Sequence, residues 1–156
     1  MRAVPFSVLA LAAAPAAAAG CQLGEAVYRP IDGDGAVIRF VRDPRSMYVD
    51  YIMRLEFPQT GRVDTFEFTF SNGYSRQYAV LKVRGDDEPD PPSGDVPSSS
   101  IQMFDKDLRG VDAESASDPA PDLIILPDLA VELWYGRPDG DRDNIPPEGL
   151  WRADCR

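Results

Sequence analysis

The chain has 156 residues, with 26 Asp and Glu against 16 Lys and Arg, a net charge of −10 and no histidine. This length suits one domain, and the acidity opposes nucleic acid and anionic membranes while favouring cationic partners. The lack of histidine excludes Ser-His-Asp and Cys-His catalysis and imidazole metal sites, and no Gly-rich phosphate loop occurs.

In chain order, Met1-Arg2 gives a short positive start. Residues 3–19 form an apolar stretch rich in Ala and Leu, and Ala17-Ala18-Ala19 puts small residues ahead of Gly20-Cys21. This is the pattern of a signal peptide over residues 1–20, cleaved to leave a single β domain over residues 21–156. The expected location is periplasmic or secreted. No second apolar run approaches the roughly 20 residues that cross a bilayer, so no transmembrane span is expected.

Cys21 and Cys155 lie at the two ends of that domain, and two readings of them stay open. In an oxidising compartment they form a disulfide, closing a loop of nearly the whole domain and stabilising it by about 5 kcal/mol in the chain-entropy model. Alternatively, Ala18-Ala19-Gly20-Cys21 resembles the bacterial lipobox, with Ala18 where Leu is usual. That resemblance implies a lipidated Cys21 and a membrane-anchored lipoprotein.

The rest of the chain alternates with a period of two wherever it is apolar, which is the signature of strands with one buried face. Residues 23–29 already read as structure, and Asp32-Gly33-Asp34-Gly35 reads as a turn before a β-branched run at residues 36–41. Val49, Tyr51, Met53, Leu55 and Phe57 share one face of the next strand. Phe66, Phe68 and Phe70 repeat the pattern up to Asn72-Gly73, a strong hairpin signal. A two-residue turn there would set Phe70 against Ser75, Phe68 against Gln77 and Phe66 against Ala79. Residues 85–100 read as a flexible acidic, proline-rich loop, and residues 105–122 and 136–149 as further long loops. Residues 101–104, 123–126 and 150–155 read as short strands. Leu129, Val131, Leu133 and Tyr135 also alternate and read as a strand. The expected fold is all-β: a single antiparallel β-sandwich or small β-barrel with long acidic loops.

Two constellations could carry chemistry. Asp139, Asp141 and Asp143 fall at i, i+2 and i+4 and resemble the start of an EF-hand calcium loop, since carboxylate oxygens suit a hard cation. Asn144 stands where that loop has Gly, and Leu150 where it has Glu. Calcium is the candidate metal; no other cofactor is indicated. Trp134, Tyr135 and Trp151 are candidates for an aromatic binding surface.

Three functions are consistent with this reading. The first is an exported, non-catalytic β domain that binds a cationic protein or an envelope component. Lysozyme inhibitors of bacterial envelopes, small exported β-barrels, are an analogy. The second is a structural envelope lipoprotein anchored through Cys21. The third is a hydrolase that uses a carboxylate pair, although the sequence singles out no particular pair.

Overall fold

The structure, a computed structural model, describes residues 20–70, 77–82, 96–137 and 139–155. Among these are nine strands and a helix: β1 (Val27–Pro30), β2 (Val37–Arg42), β3 (Tyr51–Phe57), β4 (Arg62–Phe70), β5 (Gln77–Leu81), β6 (Ser98–Ser100), β7 (Gln102–Phe104), β8 (Leu123–Ile125), α1 (Leu129–Gly136) and β9 (Leu150–Asp154). All strands belong to one antiparallel sheet in the order β6-β5-β4-β3-β2-β1-β9-β8-β7. Its two outermost strands are separated in sequence by Ile101 alone, whose N–H still donates to the Gln77 carbonyl of β5 at 3.0 Å. β6 and β7 are therefore two halves of one bent strand. The first half pairs with β5 and the second with β8, so the sheet forms a nearly closed barrel. Such closure removes the unpaired edges that an open sheet would expose.

The period of two places the core. Tyr51, Met53, Leu55 and Phe57 of β3 are buried, with half-buried residues between them. Ile38 and Phe40 of β2, Phe66 and Phe68 of β4, and Ala79 and Leu81 of β5 join them inside. The β4–β5 hairpin has a different register from the expected one: Phe70 faces Gln77, Phe68 faces Ala79 and Phe66 faces Leu81. Residues 71–76, and with them the expected Asn72-Gly73 turn, lie outside the described residues. The shift is two residues, an even number, so Phe66 and Phe68 stay inward, while Phe70, at the end of β4, is exposed.

Aromatic rings fill the interior, most pairs edge to face and Phe40 with Phe68 stacked. Ring centroids are 5.5 Å apart for Tyr28 and Phe40, 5.4 Å for Phe40 and Tyr51, and 5.1 Å for Tyr51 and Phe68. The two phenols are satisfied as burial requires. Tyr28 donates to the Pro121 carbonyl at 2.9 Å and Tyr51 to the Ala113 carbonyl at 2.7 Å. Burial pushes the Tyr51 phenol up to about 12.

Both barrel ends are covered. At one end Cys21 and Cys155 form a disulfide, with Cα atoms 5.6 Å apart. Here the segment expected to be a long loop, residues 105–122, is pinned by backbone hydrogen bonds. Leu23 N–H donates to Asp118 O at 2.9 Å, Gly24 N–H to Ala116 O at 2.8 Å, and Ala120 N–H to Cys21 O at 2.9 Å. The Asp50 carboxylate also accepts from Ala116 N–H at 2.6 Å and from the Ser115 hydroxyl at 3.1 Å. Of the acidic stretch expected over residues 85–100, Ser98–Ser100 is strand β6, while residues 85–95 lie outside the described residues.

The other end is covered by α1, where a strand was expected. The segment Leu129-Ala130-Val131-Glu132-Leu133-Trp134-Tyr135 is apolar at nearly every position, so it fits a period of two and a period of 3.6 equally well. The residues that become buried, Leu129, Ala130 and Leu133, follow the helical spacing. Asp128, directly after Pro127, stands at the N-cap position, and Glu132 lies in the first turn. Both are helix-start signals.

Candidate functional site

α1 is anchored by its inner face. Leu129 and Leu133 insert into the core, and the Asp128 N–H donates to the Ser99 hydroxyl of β6 at 3.4 Å. Its outer face carries Val131, Trp134 and Tyr135 at i, i+3 and i+4, a spacing that aligns side chains on one side of a helix. They are 48 %, 46 % and 79 % exposed. The Arg142 guanidinium lies over the Trp134 ring, 5.8 Å from its centroid, as a cation–π pair. Of the three aromatic residues expected to form a binding surface, Trp134 and Tyr135 share this face. Trp151 does not: it is an inward residue of β9, opposite Ile124 and Pro30 and buried in the core.

Beside α1, the loop from Arg137 to Asn144 is tied to the start of β4 by a network of charges. The Arg62 guanidinium reaches Asp64 at 2.9 Å, Asp139 at 2.6 Å and Asp141 at 2.9 Å. Arg137, whose side chain is fully buried, donates to Asp64 at 2.5 Å and to the Asn144 carbonyl at 2.8 Å. Its Nε is buried without a hydrogen-bond partner among the described residues. Asn144 donates its side-chain N–H to Asp141 at 2.7 Å, and its side-chain oxygen accepts from the Thr60 hydroxyl.

The electrostatics follow from these contacts. The Arg62 side chain beside Asp139 lowers that carboxyl below its usual range. Hydrogen bonds from the Asn144 side chain and the Asp143 backbone, with the charges of Arg62 and Arg137 behind them, bring Asp141 down to about 2. Burial works against the charge on Arg62, but its hydrogen bonds to Asp64 and Asp139 outweigh this and raise its pKa. Burial also works against the charge on Arg137 and there prevails, lowering its pKa despite Asp64. Chemically, the network favours the ionised forms of Asp139 and Asp141 and sets guanidiniums against them, which suits clamping a loop rather than transferring protons.

The structure thus brings two of the three candidate calcium ligands together, but around a guanidinium. Asp139 and Asp141 converge on Arg62, while Asp143 donates its backbone N–H to Asp141 at 2.8 Å. Among the described residues, no group of three or more His, Cys, Asp or Glu is placed to hold a metal ion.

Sequence reasoning missed Arg62, Asp64 and Arg137. Asp64 carried a readable signal: it falls two residues before Phe66, on the inward face of β4, and a buried carboxylate needs a cationic partner. Arg137 carried none, because it lies beyond the end of α1 and outside any alternating run.

No protein-family model, curated protein or solved structure matches the chain.

Proposed function

We propose that this is an exported, non-catalytic β domain that binds a protein partner on its outer surface, through the outward face of α1. The observation that carries this reading is that α1 carries large apolar residues on both sides. Leu129, Ala130 and Leu133 are buried in the barrel, while Val131, Trp134 and Tyr135 face outward. An exposed patch containing Trp and Tyr has the composition of an interface core. The barrel interior supports an external site, because Tyr28, Phe40, Tyr51 and Phe68 occupy it. Export is supported by the Cys21–Cys155 disulfide, a bond that persists in oxidising compartments. That disulfide also uses the sulfur on which a lipid anchor at Cys21 would have to be built.

The test is site-directed photo-cross-linking in the native host, with a photoreactive phenylalanine in place of Tyr135 and, as a control, in place of Leu108, which is 67 % exposed. A discrete protein adduct from position 135 alone supports the reading. No adduct, or the same adducts from both positions, overturns it.

A further inference from the structure

We infer that the α1 face takes a partner presenting arginine or lysine side chains, with Trp134 and Tyr135 as the aromatic seats and Asp128 and Glu132 as the countercharges. This rests on the reading of α1 as a docking surface and specifies its partner. Three observations carry it.

The first is placement. Asp128, Val131, Glu132 and Tyr135 follow one another at i, i+3, i+4 and i+7, so two carboxylates lie along the same side of the helix as the exposed apolar residues. The second is that these carboxylates are free. Asp128 occupies the N-cap position without making a side-chain capping bond. Neither Asp128 nor Glu132 has an ion-pair or side-chain hydrogen-bond partner among the described residues. In the adjoining loop network, by contrast, Asp64, Asp139 and Asp141 are all bound by Arg62 or Arg137. The third is that the Trp134 ring is accessible to a guanidinium, since Arg142 stacks on it, and a partner's cation would compete with Arg142 for that seat.

The charge of the whole chain, −10, works in the same direction. It attracts a cationic surface at long range and opposes a second copy docking on the same face.

The experiment titrates the full exported domain with an arginine–glycine repeat peptide, a lysine–glycine repeat and an aspartate–glycine repeat, at low and at physiological salt. The expected result is binding of the two cationic peptides, weakened by salt. Trp134→Leu or Tyr135→Leu should reduce affinity roughly fivefold or more. The pair Asp128→Asn with Glu132→Gln should produce a loss of the same order, while Glu148→Gln should change it little. These side chains lie on the outer surface, and circular dichroism of each variant verifies its fold.

Failure of both cationic peptides to bind overturns the inference. So does binding indifferent to Trp134 and Tyr135, for then net charge alone accounts for it. Equal binding of the aspartate peptide, or a dimer abolished by Trp134→Leu, also overturns it. If a photo-adduct forms at position 135 while the cationic peptides do not bind, the docking surface stands and its cationic partner does not.

Discussion

Asp64 sets a requirement that the top of the barrel then meets. An inward carboxylate 5 % exposed must be paired, and Arg62 from the same strand and Arg137 from the far side of α1 both reach it. The same two guanidiniums draw in Asp141, and Arg62 also draws in Asp139, so one buried charge organises a whole loop. This gives the molecule an acid limit. Asp139 and Asp141 have native pKa values below the ordinary 3.8, with Asp141 at about 2. A carboxyl lowered on folding contributes stability that is present above its unfolded pKa and is lost as the pH falls through its folded one. Thermal unfolding followed from about pH 5 down to about pH 2 should therefore show a falling midpoint below about pH 4. The double variant Asp139→Asn with Asp141→Asn should show a shallower fall, and parallel curves would place the acid sensitivity elsewhere. The Asp139-x-Asp141-x-Asp143 spacing was legible in the sequence as a convergence of oxygens. It could not reveal that only Asp139 and Asp141 converge, or that they do so on Arg62, because an arginine and a metal ion ask for the same carboxylates.

Among the elements, the strands were readable and α1 was not, for one physical reason. Tyr51, Met53, Leu55 and Phe57 alternate with half-buried residues, so only one period fits them. In α1, Ala130 and Trp134 fill the gaps between Leu129, Val131, Leu133 and Tyr135, and burial against Ser98–Ser100 and the core decides the outcome. The Pro127-Asp128 start was the discriminating signal. The β4–β5 register was likewise half-readable: the faces follow from Phe66 and Phe68, whereas the pairing that a two-residue turn at Asn72-Gly73 would set is two residues away from the observed one. The two sides of α1 should respond differently to substitution. Leu133→Ala, at a fully buried position, should cost about 2–5 kcal/mol in urea unfolding. Trp134→Leu, on the outer side, should change stability by about 0.5 kcal/mol or less. A large loss at Trp134 would mean that its ring supports the fold rather than presenting a surface.

For the whole molecule, the decisive contacts join its extremes. β1 pairs with β9 along Val27 to Pro30, the bent strand at Ile101 closes the opposite side, and the Cys21–Cys155 bond spans a separation of 134 residues. The end positions of the cysteines left a disulfide and a lipidated Cys21 both open, and barrel rather than sandwich was not legible either, since it depends on one bend at Ile101. A cross-link over so long a loop constrains the unfolded chain strongly, by about 5 kcal/mol. Reducing agent, or Cys155→Ser, should lower the calorimetric melting temperature by on the order of 10–20 °C. An unchanged melt in both would show that the staple adds nothing. The same bond makes the folded polymer in effect a ring. A protease that cuts once at an exposed turn, such as the one bearing Met47 between β2 and β3, opens that ring without dividing it. The nick becomes a new pair of ends, the strands on either side stay one covalent body, and a fragment escapes only after a second cut or after the sulfurs are reduced.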